Sequence, residues 1–255
     1  GSGDDIITLT GTIESTTYNY GSYSGSYGSG IGYGQIWGED GNDTIDASNT
    51  TSVQDIYGGA GDDIIYGAQE YTRGIYGGAG DDTITSSKGQ LASNSWSSID
   101  GGDGNDTITS STTLGATNTY IYGGKGDDII NAGGGDNRIY GDTGHTRNYI
   151  DDGWWDLREY SQGGNDTITA GAGNDSIWGG YGDDIINAGD GDNTVYGGDG
   201  NDSLTGGSGV DVIEGGEGND IFQGNGGNDI YYGYTTNSTD SNTSAVDTLT
   251  LSGAH

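Results

Sequence analysis

Polar and apolar positions repeat every nine residues, in eight consecutive blocks, between Ser161 and Tyr232. Each block opens with small residues, continues with an acidic turn and ends with one apolar residue. We number the positions 1 to 9, so that Asp or Asn lies at position 6 and the apolar residue at position 8. Glycines at positions 1, 2 and 4 are typical of a turn whose backbone conformations exclude side chains. An isolated apolar residue is typical of a short strand with one buried face. The pattern therefore predicts a turn and a short strand, repeated in register.

Copies of the same pattern also occur earlier in the chain, for example GGAGDDIIY at 58–66 and GGAGDDTIT at 77–85. Together the blocks resemble the nonapeptide G-G-x-G-x-D-x-U-x of the repeats-in-toxin (RTX) family, and the resemblance extends over nearly the whole chain. It implies an all-β fold, a right-handed parallel β-roll solenoid with calcium ions along its edges. In that fold two nonapeptides form one flattened coil, with positions 1 to 6 at the corner and positions 7 to 9 in a strand.

Position 8 predicts the hydrophobic core of this roll, because it is the inward residue of each strand. The predicted core residues are Ile45, Ile65, Ile84, Ile108, Ile130, Ile139, Ile168, Ile177, Ile186, Val195, Leu204, Ile213, Phe222 and Tyr231. Strands that follow irregular segments add Ile56, Ile75, Ile99 and Ile121.

The spacing of the turns divides the chain into regions. Early turns begin at 38, 58, 77, 101 and 123, and their separations of 20, 19, 24 and 22 residues slightly exceed two nonapeptides. For residues 1–122 we therefore predict a roll with one calcium edge and an opposite edge elaborated by loops, at 47–54, 67–73, 86–97 and 110–119, after a long insertion at 9–34. We predict calcium turns on both edges for 123–232, and a loop with a closing strand for 233–255.

The segment 141–160 loses most of the motif. The stretch that begins at Gly123 resembles the one that begins at Gly179, and this offset of 56 residues equals three coils of 18 residues plus two. We therefore expect 141–160 to form one irregular coil of the roll.

Composition makes folding dependent on a cation. The 255 residues include 56 Gly, only 29% are hydrophobic, and the formal net charge is −33. Such a chain alone buries too little apolar surface to offset its conformational entropy. Roughly a dozen calcium ions would cancel most of the charge and stabilise the folded state that binds them. The acidic balance also argues against nucleic acid as a partner, and no apolar run suits membrane insertion.

Position 6 carries the metal prediction, because calcium prefers six or more oxygen ligands. The resemblance implies that each ion lies between corners of adjacent coils and takes Asp carboxylates and turn carbonyls. The predicted ligands are Asp5, Asp43, Asp63, Asp82, Asp106, Asp128, Asn137, Asp166, Asp175, Asp184, Asn193, Asp202, Asp211, Asp220 and Asp229. We expect the two Asn corners to bind more weakly, because an amide lacks the carboxylate charge.

Position 9 of alternate strands predicts an aromatic ladder on one face, pointing outward because it neighbours the inward position 8. Its members are Trp37, Tyr57, Tyr76, Tyr122, Tyr140, Tyr160, Trp178, Tyr196 and Tyr232. Two interpretations remain open: the rings are ordinary strand residues, or they form a recognition or assembly surface.

The sequence offers little for catalysis. It has no Cys, its only histidines are His145 and His255, and common catalytic motifs are absent. We therefore predict that the chain is not an enzyme. We expect a secreted calcium-binding structural or interaction module at the bacterial cell surface, a building block of a surface layer, adhesin or filament. Its partners would be calcium and copies of itself, because no capping element precedes Gly1, or surface glycans on the ladder. The alternative is the secretion and folding module of a type I-secreted protease, lipase or epimerase whose catalytic domain lies outside this chain.

Overall fold

A computed structural model describes residues 2–11, 26–27, 34–69, 71–86, 97–112, 117–142, 163–233 and 248–251. Throughout these ranges the regular structure consists of strands, and no helix occurs. The described part accordingly holds no helix long and apolar enough to cross a membrane.

In the regular C-terminal repeats the strands are short because the inward residue at position 8 is soon followed by a glycine-rich turn. In chain order they are β1 (Ile6–Gly11), β2 (Ser26–Tyr27), β3 (Gln35–Asp40), β4 (Thr44–Thr50), β5 (Ser52–Ala60), β6 (Ile64–Tyr66), β7 (Tyr71–Ala79), β8 (Thr83–Ser86), β9 (Ser97–Asp103), β10 (Thr107–Thr112), β11 (Thr117–Lys125), β12 (Ile129–Gly133), β13 (Asp136–Tyr140), β14 (Thr167–Thr169), β15 (Ser176–Tyr181), β16 (Ile185–Asn187), β17 (Thr194–Asp199), β18 (Ser203–Thr205), β19 (Val212–Glu217), β20 (Ile221–Gly224), β21 (Ile230–Tyr232) and β22 (Thr248–Leu251).

Two parallel sheets form the roll. The ten-stranded sheet has the order β21-β19-β17-β15-β13-β11-β9-β7-β5-β3, and the twelve-stranded sheet has the order β2-β1-β4-β6-β8-β10-β12-β14-β16-β18-β20-β22. From β3 onward the chain alternates between the sheets, and each strand pairs in parallel with the strand of the next coil, as β15 does with β17 and β16 with β18. The predicted all-β parallel roll is thus confirmed.

The core is a column of aliphatic residues between the sheets. Position 8 residues of successive coils are cross-strand partners, as in the series Ile168, Ile186 and Leu204. Every predicted core residue is buried apart from Tyr231, which is partly buried and packs edge-on against Phe222. Period-two alternation explains the column, since the residues on either side of position 8 face outward.

The N-terminal half departs from the loop prediction. The predicted loop at 47–54 is strand except at residue 51, and strands also extend into the predicted loops at 67–73 and 110–119. The reason is that small and apolar side chains continue the inward alternation: Ala47 and Val53 are fully buried, and Thr50 is 1% exposed. These coils are therefore wider than the C-terminal ones. Most of 86–97 and of the insertion 9–34 lies outside the described residues.

The prediction that 141–160 forms an intervening coil is wrong. β13 pairs directly with β15, and β12 pairs directly with β14, so no coil lies between them. The offset of 56 residues is two coils of 18 plus an insertion of 20 within one corner, not three coils plus two. The predicted ladder member Tyr160 lies outside the described residues. In the described ladder Tyr140 is the direct cross-strand partner of Trp178.

Candidate calcium-binding corners

The corners form two edges. At the first edge a strand of the ten-stranded sheet turns into the twelve-stranded sheet, and at the second edge the chain returns. Stacking of the turns explains the glycines: Gly59 has φ 130°, and a Cβ there would collide with the carbonyl oxygen of Glu39 one coil earlier. Backbone therefore packs on backbone at each corner.

The predicted position 6 ligands lie in two hydrogen-bonded rows, one along each edge. The backbone N–H of each donates to Oδ1 of the next, as from Asp43 to Asp63 at 2.7 Å. The first row runs through Asp5, Asp43, Asp63, Asp82, Asp106, Asp128, Asp166, Asp184, Asp202 and Asp220. The second runs through Asn137, Asp175, Asn193, Asp211 and Asp229. The structure thus brings neighbouring members of each row together.

The second carboxylate oxygen is the chemically informative atom. Oδ2 is buried and accepts no hydrogen bond in Asp43, Asp63, Asp82, Asp106, Asp128, Asp166, Asp175, Asp184, Asp202 and Asp211. A buried anionic oxygen without a partner is costly, so a proton or a cation is needed there.

The pKa values of these carboxyls are raised, which shows that ionisation is unfavourable in the folded state. Burial raises the pKa of Asp184 and Asp128 to about 9, against hydrogen bonds from the backbone that lower it. Burial likewise raises the pKa of Asp166 to about 8. Neighbouring carboxylates add to the rise at these positions. A divalent cation would reverse this balance, because it stabilises the ionised form directly.

Backbone carbonyls complete the oxygen environment. A Cβ at Gly58 would collide with both Oδ2 of Asp63 and the carbonyl oxygen of Gly77 one coil later, and Gly179 is placed in the same way between Asp184 and Gly197. Within the described ranges no three acidic or His side chains converge on one point. A bound ion would therefore draw much of its shell from carbonyls, which suits calcium. The residues present fit this ion.

At the two Asn corners the side-chain amide donates hydrogen bonds to backbone carbonyls. Nδ2 of Asn193 donates to the carbonyl oxygens of Gly191 at 3.2 Å and Gly206 at 3.4 Å. Nδ2 of Asn137 donates to the carbonyl oxygen of Gly135 at 2.8 Å. At these two corners an amide donor stands in place of the second carboxylate oxygen, and the weaker binding expected there stays a prediction.

Sequence reasoning missed a second row, at position 5. Here the backbone N–H donates in the opposite direction, to Oδ1 of the residue one coil earlier, as from Asp62 to Asn42 at 3.0 Å and from Asp81 to Asp62 at 3.0 Å. The row continues in the regular coils from Asp183 to Asn165 and from Asn201 to Asp183. Its signal was present, because position 5 is Asp or Asn at almost every corner. Exposed Asx side chains thus connect the coils beside the buried row.

Asp142 was also missed. It follows Gly141 at the corner that carries the insertion, and its carboxylate accepts hydrogen bonds from the backbone N–H groups of Gly164, at 2.8 Å, and Tyr181. The side chain of Asp142 therefore joins the residue before the inserted segment to Gly164, which follows that segment, and to Tyr181 in the next coil.

The aromatic ladder is a set of stacked rings. Trp37, Tyr57 and Tyr76 form one run, with centroid distances of 3.9 and 4.9 Å. The second run is Tyr122, Tyr140, Trp178 and Tyr196, with distances of 5.1, 4.6 and 5.5 Å. Asp100 separates the runs, and Glu214 separates the second run from Tyr232. Because ring faces cover one another, the arrangement favours the interpretation that the rings stabilise the sheet, at about 0.5–1.5 kcal/mol per pair.

Comparison with known proteins agrees with this geometry. The model of the RTX calcium-binding nonapeptide repeat (4 copies) matches residues 35–49, 55–70, 75–90, 97–111, 114–146, 160–195, 178–213, 188–222, 196–231 and 205–239. The search of curated proteins finds no match to the chain. The matched segments cover more than half of the sequence and contain both position 6 rows except Asp5. The chain belongs to the family of RTX calcium-binding nonapeptide repeats.

Proposed function

We propose that this calcium-binding module is secreted, folds when it meets external calcium, and serves as a building block of a bacterial surface layer, adhesin or filament. The observation that supports this is the buried Oδ2 row, because it makes the folded state depend on a cation that is abundant outside cells. RTX repeats are also typical of secreted extracellular proteins. The proposal includes export as an unfolded chain by a type I system.

A structural role, not catalysis, accounts best for the acidic residues. Asp pairs occur at many corners, for example Asp62–Asp63 and Asp183–Asp184. In each pair the first member belongs to the exposed position 5 row and the second to the buried position 6 row. These carboxylates serve to connect coils and to offer oxygen ligands, which supports the proposal that the module is not an enzyme.

Carbohydrate binding on the ladder is less well supported. A sugar ring packs on an open aromatic face, whereas the faces of Tyr140 and Trp178 lie against each other with an interplanar angle of 7°. A glycan array probed with the calcium-loaded chain would test this directly.

Electron microscopy of the native material, with calcium and with chelator, tests the proposal. We expect ordered polymers in calcium that disperse on chelation. Dispersed monomers joined to a catalytic domain would instead support the alternative role as a folding module of a secreted enzyme.

A further inference from the structure

The outer face of the twelve-stranded sheet is almost free of charge, although the molecule is strongly acidic. Its outward side chains are those at positions 7 and 9 of each strand. From β1 to β20 these are Ile6, Thr8, Thr44, Asp46, Ile64, Tyr66, Thr83, Thr85, Thr107, Thr109, Ile129, Asn131, Thr167, Thr169, Ile185, Asn187, Ser203, Thr205, Ile221 and Gln223. Asp46 is the single charged residue among them, in a chain with 39 acidic residues.

This uncharged face also exposes large aliphatic side chains. The exposed fractions are 77% for Ile6, 40% for Ile64, 47% for Ile129, 56% for Ile185 and 52% for Ile221. None is needed for the core, because position 8 of the same strands already fills it. These isoleucines share one column with Thr and Ser, and exposed aliphatic side chains grouped on one face are typical of a contact surface.

We propose that this uncharged face binds the same face of a second copy, so that two rolls associate side by side. The inference rests on the proposed function as a building block and names the contact between the blocks. Without bound ions each copy has a formal charge of −33, which roughly a dozen calcium ions would reduce but not cancel, and its acidic rows lie at the corners. The uncharged face, on which Asp46 is the single charged side chain, is a surface where two such chains can meet with few like charges apposed, and apposed like charges disfavour association.

The size of the face sets the strength of the contact. Ten strands about 4.8 Å apart extend roughly 43 Å, and the two outward columns with their side chains span roughly 10 Å. The footprint is then about 430 Å² per copy and about 900 Å² per pair, below the 1,200–2,000 Å² or so of stable complexes. The contact is therefore weak in isolation and becomes effective where many copies lie together. Aligned packing of two sheets about 10 Å apart gives it a symmetric, self-complementary geometry.

Charge placed on the face tests the proposal, with a control matched in position. The test variant is Ile129→Glu with Ile185→Glu, and the control is Ser176→Glu with Thr194→Glu on the ten-stranded sheet. All four residues occupy position 7, directly after a position 6 residue. Both variants thus add the same charge at the same distance from the corners. Sedimentation velocity in calcium, from micromolar to millimolar protein, measures association of the whole chain, and circular dichroism checks folding.

We expect wild type and control to sediment faster as concentration rises, and the face variant to remain monomeric, with association at least tenfold weaker. If the face variant loses its β signal, Ile129→Thr with Ile185→Thr replaces it, since Thr already occupies the same column at Thr167. Equal association of face variant and wild type would overturn the inference, as would loss of association in both variants. So would wild type that stays monomeric but sediments with insoluble polysaccharide.

Electron microscopy of the same proteins distinguishes this failure from failure of the proposed function. Ordered polymers formed equally well by the face variant contradict the face contact and leave the building-block function standing. Absence of polymers from all proteins contradicts both.

Discussion

The calcium-free chain is expected to lose its fold as pH rises, which is the reverse of ordinary acid denaturation. The relevant groups are the position 6 carboxyls, whose pKa is raised by burial from 3.8 to about 8 for Asp82, about 9 for Asp128 and about 7 for Asp202. When the folded-state pKa exceeds the unfolded one, the folded state binds more protons between the two values. Stability is therefore fully present below about pH 4 and falls progressively as pH rises from there through the folded-state pKa values of about 7 to 9.

The magnitude follows from one group. Asp184 has an ordinary pKa of 3.8 and a folded-state pKa of about 9. At pH 7 its folded state must hold a proton that the unfolded state has released, which costs about 1.4 kcal/mol for each of about three pH units, or roughly 4 kcal/mol. Several carboxyls with similar shifts together exceed the 5–15 kcal/mol that ordinarily stabilises a domain. Without calcium the chain should be unfolded at neutral pH.

The assay is far-ultraviolet circular dichroism of the chelated chain, titrated from pH 9 to pH 4.5, with sedimentation at each pH to exclude aggregation. We expect β structure to appear on acidification and to disappear reversibly on return to pH 9. In saturating calcium the trend should reverse, because protons compete with the ion for the same oxygens. A chelated chain with equal β signal at all these pH values, or with more at pH 9, would refute the reasoning.

Three further predictions concern single residues. Asp184→Asn removes a buried carboxylate oxygen and should raise the calcium concentration at the midpoint of folding several-fold. Asp183→Asn makes the same change of charge in the exposed row and should shift this midpoint little. Calcium titrations followed by circular dichroism compare the two variants. Ile130→Ala should destabilise the calcium-loaded fold by about 2–5 kcal/mol in urea unfolding, because Ile130 is fully buried, and Ile129→Ala, at 47% exposure, by under about 0.5 kcal/mol; equal losses would contradict the inward assignment. Glu39 has φ 85° where most other corners place glycine, so Glu39→Gly should raise the unfolding free energy by about 1 kcal/mol, and Glu39→Gln, which keeps the Cβ, should not.

The repeating part of the fold can be predicted because it depends on local rules. Glycines fix the turns, and one inward residue per strand fixes the register, so the repeat alone assigns Ile186 to the core and Asp184 to a corner. The candidate calcium corners follow for the same reason, since the predicted ligand position repeats with the backbone.

The departures cannot be predicted, because spacing alone is ambiguous. The 56 residues between Gly123 and Gly179 fit either three coils plus two residues or two coils plus 20, and only the direct pairing of Tyr140 with Trp178 decides. The segment around Ser52 and Val53 resembles a loop because it is rich in Ser, Thr and Asn, yet both residues are buried in a strand. The Asp or Asn at position 5 is visible in the sequence, but its role is not, because that role depends on contacts between coils.

Calcium-coupled folding is the central claim, and a stoichiometric titration tests it most directly. The native chain is dialysed exhaustively against chelator, and calcium is then returned stepwise at pH 7.5 while bound ion and circular dichroism are measured on the same samples. We predict that β structure is absent at the start and returns as roughly a dozen ions bind per chain, whereas magnesium, which demands a tighter octahedral shell, fails to replace calcium. Full β structure in the ion-free chain at this pH would contradict the account.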